Sequence, residues 1–253
     1  MSAVATSSIV FVCVFSGALL GGVLRSILPT NHLADDSKDI IKLAIGLIST
    51  LTALVLGLLV GSVKSSFDAK NEEMKRIASS LVLLDRILAQ SGSAAGPARQ
   101  LLRETAVSRL ESLRRTKMAS VRSPDSTGAS NALEEVQRMV RELPTKTRAE
   151  ELLQNRALEV SGDLAQTRWL LAENFESSIP TPFLIVLVSW LFIIFLSFGL
   201  FAPFNGTVVA TLFVCALSVS GALFLILEMD AAFGGFITVT LRPLTDAVGR
   251  LGK

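Results

Sequence analysis

Long uninterrupted apolar runs alternate with stretches in which hydrophobic positions recur every three or four residues. Residues 1–24, 43–63 and 177–227 carry no charged side chain. A helix rises about 1.5 Å per residue, so crossing about 30 Å of hydrocarbon takes about 20 residues. The third run is long enough for two crossings. Its turn is supplied by "FAPFNGT", through Pro203, Asn205 and Gly206. The pattern therefore predicts four membrane helices, roughly 7–28, 41–63, 182–201 and 206–228.

Between the second and third spans the period is helical. In "NEEMKRIASSLVLLDRILAQSG", Met74, Ile77, Leu81, Leu84 and Leu88 share one face. Gly92, Gly96 and Pro97 interrupt it. "ARQLLRETAVSRLESLRRTKM" gives a second helix along Leu102, Ala106, Leu110 and Leu113. "SPDSTGASN" (Ser123–Asn131) reads as a polar loop. A short helix over 132–142 ends before Pro144, and a long one spans 146–176 along Leu153, Ala157, Val160, Leu164 and Leu171. The helix leaving span two and the helix entering span three are expected to extend the membrane helices, with a break or kink at Pro180 and Pro182. "FGGFITVTLRPL" (Phe233–Leu244) alternates like a strand, but is expected to be an irregular or amphipathic tail that packs back on the helices or lies at the membrane interface. The fold class is thus an all-α membrane protein: a first hairpin over 1–63, a helical domain over 64–181, a second hairpin over 182–230 and a tail over 231–253.

Composition agrees: half of the residues are hydrophobic and 18% are charged. The first basic residue, Arg25, follows the first apolar run, so that run predicts an uncleaved span and not a secretory signal. Four spans place both termini and the 64–181 segment on one side. Lys64, Lys70, Lys75, Arg76, Arg168 and Arg242 flank that side, and Arg25, Lys38 and Lys42, diluted by nearby aspartates, flank the other. The excess assigns the large segment to the cytoplasm. That segment holds 18 basic and 16 acidic side chains, a balance that argues against a nucleic-acid partner.

No catalytic constellation, phosphate loop or metal spacing is present in the sequence, so neither an enzyme nor a cofactor is expected. His32 stands alone in a short loop. Cys13 and Cys215 fall inside spans, where each is expected to be a small buried apolar residue. "GALLGG" (Gly17–Gly22) and "GLLVG" (Gly57–Gly61) read as small-residue packing faces. In span two, Gly46, Thr50, Ala53, Gly57 and Gly61 form one narrow stripe. It has two readings: span one docks there through Gly17 and Gly21, or the stripe faces a symmetry axis and lines a conduit. Lys42 and Lys64 bracket the span, either as interfacial anchors or as positive collars around a ring. Asp68 and Glu72, with Glu73, make an acidic patch beyond Lys64. Glu228 and Asp230 end span four, where they face the interface or pair with Lys64 or Arg242.

Three stretches carry a resemblance: "LLVGSVKSSFDAKNEEMKRIASSLVLLDRILAQSG", "FGLFAPFNGTVVATLFVCALSVSGALFLILEMD", and the tail with "FGGFITV" and "PLTDAVGRLG". The chain resembles the bestrophin-like domain proteins of bacterial membranes. The resemblance implies a homo-oligomeric ion channel, a pentamer in typical bestrophins, with a pore lined by the second span and both termini in the cytoplasm. It implies membrane lipid and small ions, such as chloride, as partners. Two departures stand out. Bestrophins carry phenylalanines at the pore neck, whereas span two has no aromatic residue before Phe67. The acidic calcium clasp of animal bestrophins is missing from this sequence, so calcium gating is not expected. A non-conducting scaffold, whose helical domain binds a partner, is the alternative.

Overall fold

The computed structural model describes residues 3–27, 35–119, 126–173, 179–203, 205–232 and 235–253. These form eight α-helices: α1 (Ala3–Ile27), α2 (Asp35–Gln90), α3 (Gly96–Ala119), α4 (Ser126–Arg141), α5 (Arg148–Glu173), α6 (Thr181–Phe201), α7 (Gly206–Asp230) and α8 (Arg242–Arg250). No strand occurs among the described residues. Four of the helices are long and apolar enough to cross a membrane: α1, α2, α6 and α7. The chain divides into two compact units. One comprises Met1–Ser65 with Ser177–Ala231, the other Ser66–Glu176 with Ala232–Lys253.

In the first unit, α1 and α6 run parallel in close contact. A Cβ built on Gly21 would run into the Leu196 carbonyl oxygen. One on Gly199 would run into that of Ala18, and one on Gly17 would lie 2.9 Å from the Phe192 ring. At the far end, Arg25 donates to the Ala202 carbonyl oxygen just beyond the last turn of α6, where carbonyls lack helical partners. Lipid is as apolar as leucine, so helices in it associate through close packing, and glycine permits the closest approach. Phe213 of α7 meets Phe11 and Phe15 of α1 edge-on, at 5.4 and 5.5 Å between ring centres. Asn205 caps α7, its Oδ1 accepting from the Val208 N–H at 2.9 Å.

These contacts correct one sequence expectation. Gly17 and Gly21 do form a packing face, but its partner is α6 and not span two. Periodicity shows which side of a helix is small, not which neighbour fills it. Cys215 is likewise exposed on α7, because Ala216, Ser220 and Leu223 take the buried side.

In the second unit, Leu84 and Leu88 of α2 pack with Leu102 of α3, Val136 and Val140 of α4, and Leu164 of α5. Each such burial from water contributes about 1.5–3 kcal/mol. Gln154 of α5 donates from Nε2 to the Val140 and Arg141 carbonyls at 2.8 and 3.2 Å, which satisfies the end of α4. The tail packs back as expected. The Val239 N–H donates to the Ala232 carbonyl at 2.8 Å, and Leu244 and Leu251 enter the core. Over its described residues the alternating pattern becomes bends and irregular chain followed by α8, and no second strand is present among the described residues for it to pair with.

Two further expectations change. The stretch Ser126–Asn131 is the start of α4 and not loop: helix elongation is cooperative, and the amphipathic run through Leu133, Val136 and Val140 carries it. Ser123–Asp125, His32 and Phe233 lie outside the described residues. The helix leaving span two does continue it, since α2 is unbroken through Gly61 and Lys64. The helix entering span three does not: α5 ends at Glu173 and α6 begins at Thr181. Extended Pro180 caps α6 and Pro182 sits in its first turn, where a missing N–H costs nothing.

Candidate pore-lining face of the second span

Within the first unit, α2 has one covered side. Thr52 and Val63 are buried there, and Ile45, Ile48, Val55, Leu56 and Leu59 pack against the α1–α6–α7 core. The Thr52 hydroxyl donates back to the Ile48 carbonyl at 2.7 Å, which removes its need for a partner across the interface. At about 100° per residue, the stripe of Gly46, Thr50, Ala53, Gly57 and Gly61 lies roughly 150° around the helix from this side. All five residues are exposed. A Cβ built on Gly46, Gly57 or Gly61 meets nothing within 4 Å. Beside the stripe runs a ridge of exposed leucines, including Leu43 at 76% and Leu58 at 66%.

The two sides differ in chemistry as well as size. Three glycines leave the backbone uncovered. The Thr50 hydroxyl donates to the Leu47 carbonyl at 2.8 Å, and its oxygen keeps a lone pair for the stripe. The leucine ridge offers only hydrocarbon. Span two therefore presents a narrow face of small and weakly polar groups next to a broad apolar one, and the chain's own helices cover neither.

The charged candidates separate. Lys42 is exposed, with Nζ 3.2 Å from Asp39 Oδ1. Lys64 is exposed at the end of the first unit's part of α2. In the second unit Asp68 and Glu72 are exposed, with Glu72 3.2 Å from Lys75, while Glu73 is half-buried. Glu228 does not face solvent: it is buried in α7, and Asp230 is half-buried. Among the described residues, no three His, Cys, Asp or Glu side chains come together as a metal ion would need.

The Bestrophin-like domain profile matches residues 12–244, nearly the whole chain. The chain belongs to the bestrophin-like family. Solved structures of a bacterial bestrophin homologue from Klebsiella pneumoniae share the fold of this bestrophin-like protein. A tryptophan-to-alanine variant aligns with a TM-score of 0.68 at 15% identity, covering 98% of this chain and 99% of that one. A leucine-to-threonine variant aligns at 0.64 and 14%, covering 94% and 97%. No curated protein matches the chain.

Proposed function

We propose that this bestrophin-like protein is a homo-oligomeric ion channel of the bacterial inner membrane, with the small-residue stripe of α2 facing the symmetry axis. One observation carries the reading. Gly46, Thr50, Ala53, Gly57 and Gly61 are open along their whole length, while the opposite side of the same helix is covered. Small side chains leave room for hydrated ions, and bare peptide groups supply dipoles to replace part of a hydration shell. The leucine ridge suits a neighbouring subunit or lipid. Family membership and the shared fold support the same arrangement, and a pentamer is the expected ring.

Repeated around that ring, Lys42 and Lys64 are positive collars that concentrate anions such as chloride. The Lys/Arg excess puts both termini and the 64–181 segment in the cytoplasm. In this role the protein is a conduit and not an enzyme. The test is recording from purified protein in planar lipid bilayers containing chloride. The expected result is discrete ion currents whose reversal potential follows the chloride gradient. A well-folded oligomer that stays silent across salts and voltages overturns the reading in favour of a non-conducting scaffold.

A further inference from the structure

Among the described residues of the second unit's helices, large apolar side chains are exposed on α2 and α5 alone. On α5 they are Leu152, Leu170 and Trp169, the last at 69%. On α2 the residue is Leu83, at 44%. Tryptophan and arginine lead the residues that anchor protein interfaces. At about 100° per residue, Arg76, Ser79, Leu83 and Arg86 share one face of α2, and Glu151, Gly162, Asp163, Gln166 and Trp169 share one of α5. All of them are exposed. A Cβ built on Gly162 meets nothing within 4 Å, so the α5 face is flat beside the indole. The two faces differ in charge. Lys75 pairs with Glu72 and Arg156 with Glu159. That leaves Arg76 and Arg86 on α2, against Glu151 and Asp163 on α5 with Arg148 at its first residue.

We propose that the α5 face of one copy docks on the α2 face of the next copy in the ring, with Trp169 as its anchor. This contact rests on the oligomer reading above and adds which surfaces meet. In a closed ring of more than two copies, each subunit meets its two neighbours through different patches, so the patches must complement each other. These do: one is basic around a leucine and the other acidic around a tryptophan. The indole lies between Leu83 and Arg76 of the next copy, whose guanidinium stacks on its face. The levels match as well. Met74, Ile77 and Leu81 of α2 line one cavity with Leu164 and Arg168 of α5, which puts the outward residues between them, Ser79 and Gln166, at one height in the unit. Rotation about an axis along α2 preserves that height, so Ser79 comes opposite Gln166 of the next copy.

Cross-linking of the full-length protein in detergent tests this. Cys13 and Cys215 are changed to Ala, and Ser79→Cys and Gln166→Cys are introduced singly and together. With a short bismaleimide, the double variant should give a ladder of covalent species climbing to the ring size, and either single variant should stay monomeric on the denaturing gel. A dimer from a single variant means a two-fold contact and overturns the proposal. So does a double variant without a ladder while light scattering shows an intact oligomer, a result that leaves the channel reading standing. A ladder from protein that is silent in bilayers supports the contact and removes the channel reading alone. Trp169→Ala should raise the concentration at which the oligomer dissociates by about tenfold or more with helix content unchanged, and an unaltered dissociation overturns the proposal. Trp169 and Trp190 are the chain's two tryptophans, so Trp190→Phe leaves Trp169 as the sole indole fluorophore. Its emission should resist quenching by iodide and by brominated lipid until the oligomer dissociates. Quenching by the lipid in the intact oligomer overturns the proposal in favour of a membrane contact, and quenching by iodide in favour of open solvent.

Discussion

Arg99 grips Asp85 through two hydrogen bonds, Nε to Oδ1 at 2.9 Å and Nη2 to Oδ2 at 3.0 Å. The pair ties the start of α3 to the end of α2, across the turn in which Gly92 adopts a φ of 86°. The hydrogen bond to Asp85 raises the Arg99 pKa. Asp85 is buried, and its Oδ2 also accepts from the Gly252 N–H at 3.2 Å, so one carboxylate anchors the C-terminal tail as well. Asp85→Ala should therefore destabilise the helical unit by about 2–3 kcal/mol, since hydrogen bonds to charged groups are lost and buried donors are left without an acceptor. Arg99→Ala should cost at least as much, because it leaves the buried Asp85 carboxylate without its counter-charge, whereas the partly exposed Arg99 left by Asp85→Ala can turn to solvent. Chemical denaturation of both variants measures the order, and a clearly smaller loss for Arg99→Ala would refute it.

Glycines of equal helix propensity should respond oppositely to one methyl group. Gly21→Ala forces α1 away from the Leu196 backbone and should cost about 1–3 kcal/mol, as overpacking does. Gly57→Ala places its methyl in open space within the chain and should leave each protomer's fold intact. Unfolding of the detergent-solubilised variants separates the two. A loss at Gly57 matching that at Gly21 would mean that a neighbouring copy packs tightly on the stripe.

Gly57→Trp goes further. If the stripe lines the conduit, the indole should abolish current while the oligomer elutes at its wild-type size. If the oligomer dissociates, the stripe is a packing face between subunits. Bilayer recording together with light scattering distinguishes these outcomes.

Thr147 and Glu150 close the start of α5 reciprocally. Thr147 Oγ1 accepts from the Glu150 N–H at 3.2 Å, and Glu150 Oε2 accepts from the Lys146 and Thr147 N–H groups at 2.6 and 3.1 Å. The bond from Lys146, followed by that from Thr147, lowers the Glu150 pKa. A lowered folded-state pKa gives stability that is present above the ordinary carboxylate value, about 4.3, and lost as pH falls through the folded value. Thr147→Ala should cost about 1 kcal/mol at neutral pH. The stability gap between wild type and Glu150→Gln should close on acidification. Denaturation at neutral and acid pH checks this, and a gap that widens in acid would refute the assignment.

The four spans were legible because an apolar run of that length has few other uses, and the unbroken α2 because nothing in it stops a helix. Period alone grouped Gly46, Thr50, Ala53, Gly57 and Gly61 on one face and left open whether span one covers it. What the pattern could not give was partnership. Gly21 meets Leu196 across about 175 residues of chain, and Arg109 and Arg168 meet at a cavity that only five assembled helices create. Asp85 is a single polar break in a leucine-rich face, and nothing beside it in the sequence points to Arg99. The start of α4 was missed for another reason: short polar residues favour turns locally, and cooperative elongation overrode them.

The parallel seam between α1 and α6 has a consequence for biogenesis. A ribosome working at about 5–20 residues per second finishes α1 roughly 10–35 s before Leu196 exists. Throughout that interval the groove at Gly17 and Gly21 has no α6 to fill it. Whatever occupies it in a nascent chain, lipid or an insertion factor, must leave when the third span arrives, and a chain cut short before Thr181 never closes the groove.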